Sequence, residues 1–381
     1  MSKRKFKLPG VDDLNKSQDR VLRLPENGQF LIVGGPGTGK SVVALLRAVK
    51  FAKNKNYIFL TFNHVLVSAT SQLVDTRLQT LTLSSWFYKL QYQLTREYMP
   101  QRANYKPDYD EVIKRFESLE PQERTLHIII DEGQDMPVKF YESLITCGYE
   151  NFFIVADQNQ QITEENSSRQ ELTDILGLDV EDVIELTENF RNDYPIALFA
   201  NEFFTDPSSP APELPSPQRE LGVPILYEYN HYEDCVKLIL REFDRDDKNL
   251  VGVVVANDDL RDTYASALET MEINLDNPRA IVSTYSGKDK TSVSIDFSEG
   301  GIVVLNDKSI KGLEFDMVFI VIDGFKIYNN DMDSMKKRFY VISSRAMKKL
   351  VLFKSRGYSD GVEKILPNNE NILIRKRLNN G

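Results

Sequence analysis

The 381-residue chain has only two cysteines, Cys147 and Cys235, and three histidines, His64, His127 and His231. Two distant thiols frame no disulfide scaffold, and so few imidazoles give no zinc-ligand spacing. Long apolar runs are also missing. The longest, such as "MVFIVI" from Met317 to Ile322, fall far below the roughly 20 residues a membrane helix needs. The basic start "MSKRKFKLPG" has no apolar stretch behind it, so no secretory signal is expected. Together these absences lead to the expectation of a reducing, cytoplasmic compartment and no membrane partner. Positive charge is short as well: 47 Lys and Arg stand against 57 Asp and Glu, for a net charge of −10. That balance excludes coating of nucleic acid by net charge alone. It leaves room for a local basic groove.

Apolar material is plentiful, at 41% of residues, and it falls in short blocks. "FLIVGG", "NYIFLTF", "LHIIIDE" and "NFFIVAD" read as buried strands of one sheet. "LVGVVVAN", "GIVVLND", "DMVFIVID" and "KKLVLF" read as strands of another. Helical patterns separate them, which predicts an α/β protein with mostly parallel sheets. The expected division is a first domain over residues 1–187 and a second over 188–381. The polar, helix-forming stretch of about 88–124, broken near "MPQRANYKPD", reads as a small helical insertion in the first. "TDPSSPAPELPSP", residues 205 to 217, is an irregular Pro- and Ser-rich excursion. The end, "LIRKRLNNG", is expected to fray.

The densest chemical signal is "IVGGPGTGKSVVALLRA" from Ile32 to Ala48. Gly34, Gly35, Pro36, Gly37, Thr38, Gly39, Lys40 and Ser41 fit G-x-x-x-x-G-K-[ST] between a strand and a helix. Glycines let successive N–H groups converge on one anion, and the helix that follows adds its positive end. Lys40 is expected to reach the β- and γ-phosphates, and Ser41 to hold Mg²⁺. About ninety residues on, "LHIIIDEGQDMP" ends a strand in two carboxylates. This predicts Asp131 as a metal holder and Glu132 as the base that activates water. The expected cofactors are therefore ATP and Mg²⁺.

An ordered series of further segments resembles the superfamily 1 helicases, in particular the UvrD/Rep-like group. "LNKSQDRV" is similar to the Q motif, with Gln18 as adenine reader. "LTFNHVLVSAT" resembles motif Ia, and "DEGQD" resembles motif II. "VADQNQQI" resembles motif III, with Asp157 and Gln160. "LTENFRN" resembles motif IV, with Arg191. "KSIKGLEFDMVFIV" resembles motif V, with Lys311, Gly312 and Glu314. "RFYVISSRAMKKLVLF" resembles motif VI, with Tyr340 and Arg345. The resemblance implies two RecA-like P-loop domains and ATP between them. Gln160 would act in the ATP site, Glu314 would bind the nucleotide, and Arg191 and Arg345 would serve as arginine fingers. Phe62 and Asn63 would contact a single strand, with Trp86 as a candidate stacker and Lys308 as a phosphate contact.

The departures from that group concern the strand track. Ser84 stands where the group has a histidine, "QQITEENSS" carries no aromatic after motif III, and Asn306 and Lys308 replace a usual Thr and His. The large insertions of the group are also missing, so the chain resembles its compact form. The function this implies is an ATP hydrolase that moves along single-stranded DNA as a helicase or translocase, with RNA as an open alternative. A second reading is an ATP-gated DNA-binding subunit that signals to a separate effector, such as a nuclease in repair or phage defence.

Overall fold

The computed structural model describes residues 14–53, 56–61, 78–160, 166–217, 222–285, 300–358 and 361–378. These form two compact units. The chain passes from one to the other between Thr187 and Glu188, and Ser208–Pro212 returns to the first.

The first unit runs α1 (Lys16–Leu22), β1 (Gln29–Gly34), α2 (Lys40–Phe51), β2 (Tyr57–Thr61), β3 (Thr80–Thr82), α3 (Leu83–Thr95), α4 (Tyr109–Glu117), β4 (Arg124–Ile130), α5 (Val138–Thr146), β5 (Tyr149–Ala156), α6 (Arg169–Ile175) and β6 (Val183–Leu186). Its six strands are all parallel, in the order β3-β2-β4-β5-β1-β6. Alternate residues of each strand serve opposite faces, as a two-residue period requires. Leu31, Val33, Ile128, Ile130 and Ile154 pack with α3, α4 and α5 through Phe87, Val112 and Phe140. Phe30, Ile32, Ile129, Phe153 and Val155 face Val21 of α1 and Val43, Ala44 and Ala48 of α2. Helices on both faces explain why these strands read as continuous apolar runs.

The stretch of about 88–124, expected as a small helical insertion, packs into this core. Its first helix, α3, begins earlier, at Leu83, capped by Thr82, whose hydroxyl accepts from Ser85 N at 3.3 Å. Leu90, Tyr109 and Phe116 then bury against the sheet. Arg47 of α2 is also buried. Its guanidinium lies 4.7 Å from the Phe153 ring centre and donates to the carbonyls of Pro25 and Glu26 at 2.5 and 3.1 Å. It thereby ties α2 to the turn before β1.

The second unit contains α7 (Tyr194–Asn201), β7 (Ile225–Tyr229), α8 (Tyr232–Asp244), β8 (Leu250–Val255), α9 (Asp258–Thr270), β9 (Val282–Tyr285), β10 (Gly301–Asn306), β11 (Phe315–Val321), α10 (Met332–Ser343), β12 (Ala346–Ser355) and β13 (Ile374–Arg377). Seven parallel strands run β13-β7-β12-β11-β8-β10-β9. Val251, Val253, Val255, Phe319 and Val321 form its core with Val236 and Ile239 of α8 and Tyr264 and Leu268 of α9. The chain end corrects one expectation: Ile374–Arg377 pairs with β7 as an edge strand instead of fraying. Its charged residues suit an edge with solvent beside it.

Candidate functional site

Two backbone features open the phosphate loop. β1 ends at Gly34, and α2 starts at Lys40 with Gly39 as its N-cap at φ 86° and no side-chain cap. A Cβ at Gly39 would lie 2.3 Å from Gln18 Nε2, so only glycine fits this left-handed position. The start of α2 therefore carries no side-chain cap, and its positive dipole end faces the loop. Inside the loop, Thr38 Oγ1 and Lys40 Nζ each donate to Gly35 O at 2.8 Å. Lys40 Nζ also lies 3.8 Å from Asp157 Oδ2.

Gln18 supports the loop from behind. It closes a capping box with Asn15: Gln18 N donates to Asn15 Oδ1 at 2.7 Å, and Asn15 N to Gln18 Oε1 at 3.2 Å. Its Nε2 donates to Thr38 O at 3.0 Å. Both ends of the amide thus have protein partners, one of them the loop itself.

Strand order delivers the acids. β5 lies between β1 and β4, so Asp157 at its end stands between the loop and the Asp131–Glu132 pair. Asp131 is buried, and its carboxyl is pushed up to about 6, first by burial and then by the Glu132 charge. A hydrogen bond with the Ser41 side chain and the Lys40 charge pull the other way. Glu132 has φ 59° and ψ 43°, a left-handed conformation that is costly for a residue with a Cβ. Gln134 Nε2 donates to Glu132 Oε2 at 2.8 Å, and Asp157 N donates to Gln134 Oε1 at 3.0 Å. Gln160 Nε2 donates to Asp157 Oδ2 at 2.7 Å. Asp157 is raised by burial, against the opposing pull of Lys40 and Gln160.

One buried network therefore links Lys40, Asp157, Gln160, Gln134 and Glu132. Gln134 is the member to which sequence reasoning gave no role, although it sits in the quoted "DEGQD". Ser209 was missed altogether: its hydroxyl accepts from Gln158 N at 3.0 Å, which anchors the turn carrying Gln160. A serine inside a Pro-rich excursion carries no sequence signal of that kind.

The donor set fits a magnesium ion. Ser41 and Asp131 offer hard oxygens side by side, which suits Mg²⁺ shared with phosphate oxygens. Among the described residues no cluster of three or more His, Cys, Asp or Glu could hold a metal unaided.

In the second unit, Arg191 Nη2 pairs with Glu314 Oε1. The other guanidinium nitrogens of Arg191, Nε and Nη1, are buried without a partner. Asn192 Nδ2 donates to the carbonyls of Ser344 and Ala346 at 2.9 and 2.6 Å, so the Arg191 segment is tied to the backbone on both sides of Arg345. Arg345 is buried, and its Nε donates to Val341 O at 3.2 Å. Lys308 is exposed in the turn after β10, whereas Lys311 is buried. Tyr340 is buried beside Phe204. Trp86 is partly buried against the first core, its ring 6.1 Å from that of Tyr149. Phe62 and Asn63 lie outside the described residues.

Among the described residues no helix is long and apolar enough to cross a membrane. No curated protein matches the chain. A solved structure, the C-terminal domain of a possible DNA helicase from Lactobacillus plantarum WCFS1, aligns with 49% of this chain and 98% of its own, at 17% identity and a TM-score of 0.34. Residues 18–166 match the family model described as AAA domain. That span lies within the first unit and runs from Gln18 through the glycine loop, Asp131, Glu132 and Gln160.

Proposed function

We propose that the protein is an ATP-dependent motor on single-stranded nucleic acid, a UvrD-like DNA helicase or translocase with domains over residues 1–187 and 188–381. The observation that carries this reading is the buried network from Lys40 through Asp157 and Gln134 to Glu132. It joins the phosphate loop to the Glu132 carboxylate, the proposed base, and Gln160 donates to Asp157 in the same network. Such a chain reports the state of the γ-phosphate to the turn after β5, which in a motor is the beginning of a mechanical signal.

Gly34 to Ser41 bind the triphosphate, and Lys40 meets the β- and γ-phosphates. Ser41 and Asp131 would hold Mg²⁺, which neutralises phosphate charge when bound. Glu132 orients and deprotonates the attacking water, held by Gln134. Gln18 fixes the loop and lies beside the nucleotide. Arg191 and Arg345 are the arginine fingers that the resemblance suggests, and in that role they would neutralise charge on the transferred phosphoryl group. The two buried, unpartnered nitrogens of Arg191 support an anionic ligand there, and Glu314 orients that arginine. Phe62, Asn63, Trp86 and Lys308 are the strand contacts that the resemblance suggests.

The test is ATP turnover with single-stranded DNA and RNA of increasing length. A motor's rate rises with length before it levels off. A rate that saturates at one footprint supports the ATP-gated sensing subunit instead. No stimulation by any strand removes nucleic acid from the reading.

A further inference from the structure

Four of the large exposed hydrophobic side chains among the described residues fall in one short stretch of the chain, 88–105. Tyr88, Tyr92, Tyr98 and Tyr105 all belong to α3 or to its connection with α4. Tyr88 and Tyr92 lie four residues apart on α3 and so share a face. The Tyr92 and Tyr98 rings are 5.5 Å apart at 34°, and Tyr98 is 84% exposed. Tyr105 is 83% exposed and occupies the tip of a small hairpin. Arg102 N donates to Lys106 O at 2.8 Å, Tyr105 N to Arg102 O at 2.9 Å, and Gln101 bridges Pro107 in antiparallel fashion.

The backbone at that tip is unusual. Tyr105 has φ 60°, a position where glycine or asparagine fits at little cost and a bulky side chain does not. Neither burial nor core packing accounts for a tyrosine there. Residues 88–106 carry Lys89, Arg96, Arg102 and Lys106 against the single acid Glu97, before Asp108, Asp110 and Glu111 restore the balance. Glu97 is paired with Arg115 at 2.9 Å, and Arg102 lies 3.7 Å from Asp110.

We propose that this surface, Tyr98 with Tyr92 and Tyr105 between Arg102 and Lys106, is a stacking platform for single-stranded nucleic acid. The proposal rests on the nucleic-acid reading above. Aromatic faces accept any base, and interleaved cations follow the phosphates. The platform would supply the aromatic surface that "QQITEENSS" lacks after β5. Tyrosines among cations suit a strand better than an apolar protein partner, for which aliphatic side chains would serve.

The test is fluorescence anisotropy with a labelled oligothymidylate and a duplex of equal length, combined with thermal melting. Tyr98→Ala and Tyr105→Asn should each weaken oligothymidylate binding by about tenfold, while Tyr98→Phe retains it. Tyr105→Asn should melt at or above the wild-type temperature, because the left-handed strain is relieved. A double Tyr98→Ala, Tyr105→Asn protein that binds the oligonucleotide like wild type overturns the platform and leaves the motor reading standing. Loss of duplex binding alone overturns it in favour of a duplex contact. Binding loss accompanied by a lower melting temperature in Tyr105→Asn overturns it in favour of a structural role. A wild-type protein that binds no strand at all ends both readings.

Discussion

Strands β1 and β8 each lead into the N-terminus of a helix, and the two junctions are built in opposite ways. After β1 the chain makes a glycine loop, and α2 begins behind Gly39 with no side-chain cap and no acid in its first turn. After β8 the helix starts almost at once. Asn257 caps α9 by accepting from Leu260 N at 2.9 Å, and Asp258 and Asp259 fill its first turn. A capped, acidic helix start satisfies its own N–H groups and repels anions. An uncapped one holds them open for phosphate. One architecture thus gives one unit an uncapped helix start behind a glycine loop, as the proposed nucleotide site requires, and the other a self-contained helix.

The largest expected effect is at the open junction. Lys40→Ala should abolish ATP turnover while the protein remains folded, measured by phosphate release and circular dichroism. Near-normal hydrolysis by the folded variant would remove the distinction between the two junctions.

Glu132→Gln comes next. It keeps the side-chain size and removes the proton acceptor, so turnover should fall by about 10²–10⁴-fold while binding of a nucleotide analogue persists. Equal loss of binding and turnover would instead make Glu132 a structural residue of the buried network.

A smaller effect concerns the cost of keeping that network. The Asp131 carboxyl is raised to about 6 by burial and by Glu132. The folded state therefore holds a proton that the unfolded state gives up at lower pH. Nucleotide-free protein should accordingly lose stability as pH rises from the ordinary carboxylate range through about 6. Asp131→Asn should remove that dependence and stabilise the nucleotide-free protein near neutral pH by about 1–3 kcal/mol, read from denaturant melts. Unchanged pH dependence in the variant would assign the titration to another group.

The smallest effect is at the closed junction. Asn257→Ala should cost about 1 kcal/mol of stability and leave ATP turnover untouched. A fall in turnover would show that the second junction takes part in the chemistry.

Much of this was legible in the residues. The eight apolar runs became the central strands β1, β2, β4, β5, β8, β10, β11 and β12, because strands covered on both faces must be apolar throughout. The strands that escaped notice were β3, β6, β9 and β13 at the sheet edges and β7 beside one. They are short, and their partial exposure permits polar residues such as those of β13. The glycine–lysine–serine loop between a strand and a helix, and the Asp131–Glu132 pair at a strand end, were legible in local sequence. Local spacing is enough where one strand–loop–helix unit makes the whole feature.

Contacts between distant segments could be decided only by the tertiary structure. Strand order inserted β5 between β1 and β4 and so brought Asp157 to Lys40 and Gln134 to Asp157. Ser209, inside the excursion, anchors the Gln158–Gln160 turn, and in the second unit Arg191 pairs with Glu314 across more than a hundred residues. Each of these depends on which strands become neighbours and on which buried polar groups then need partners. The sequence by itself determined which residue types were available for phosphate, metal and proton chemistry. Their assembly into one network was decided when the sheet closed the water out and left each polar group to find another.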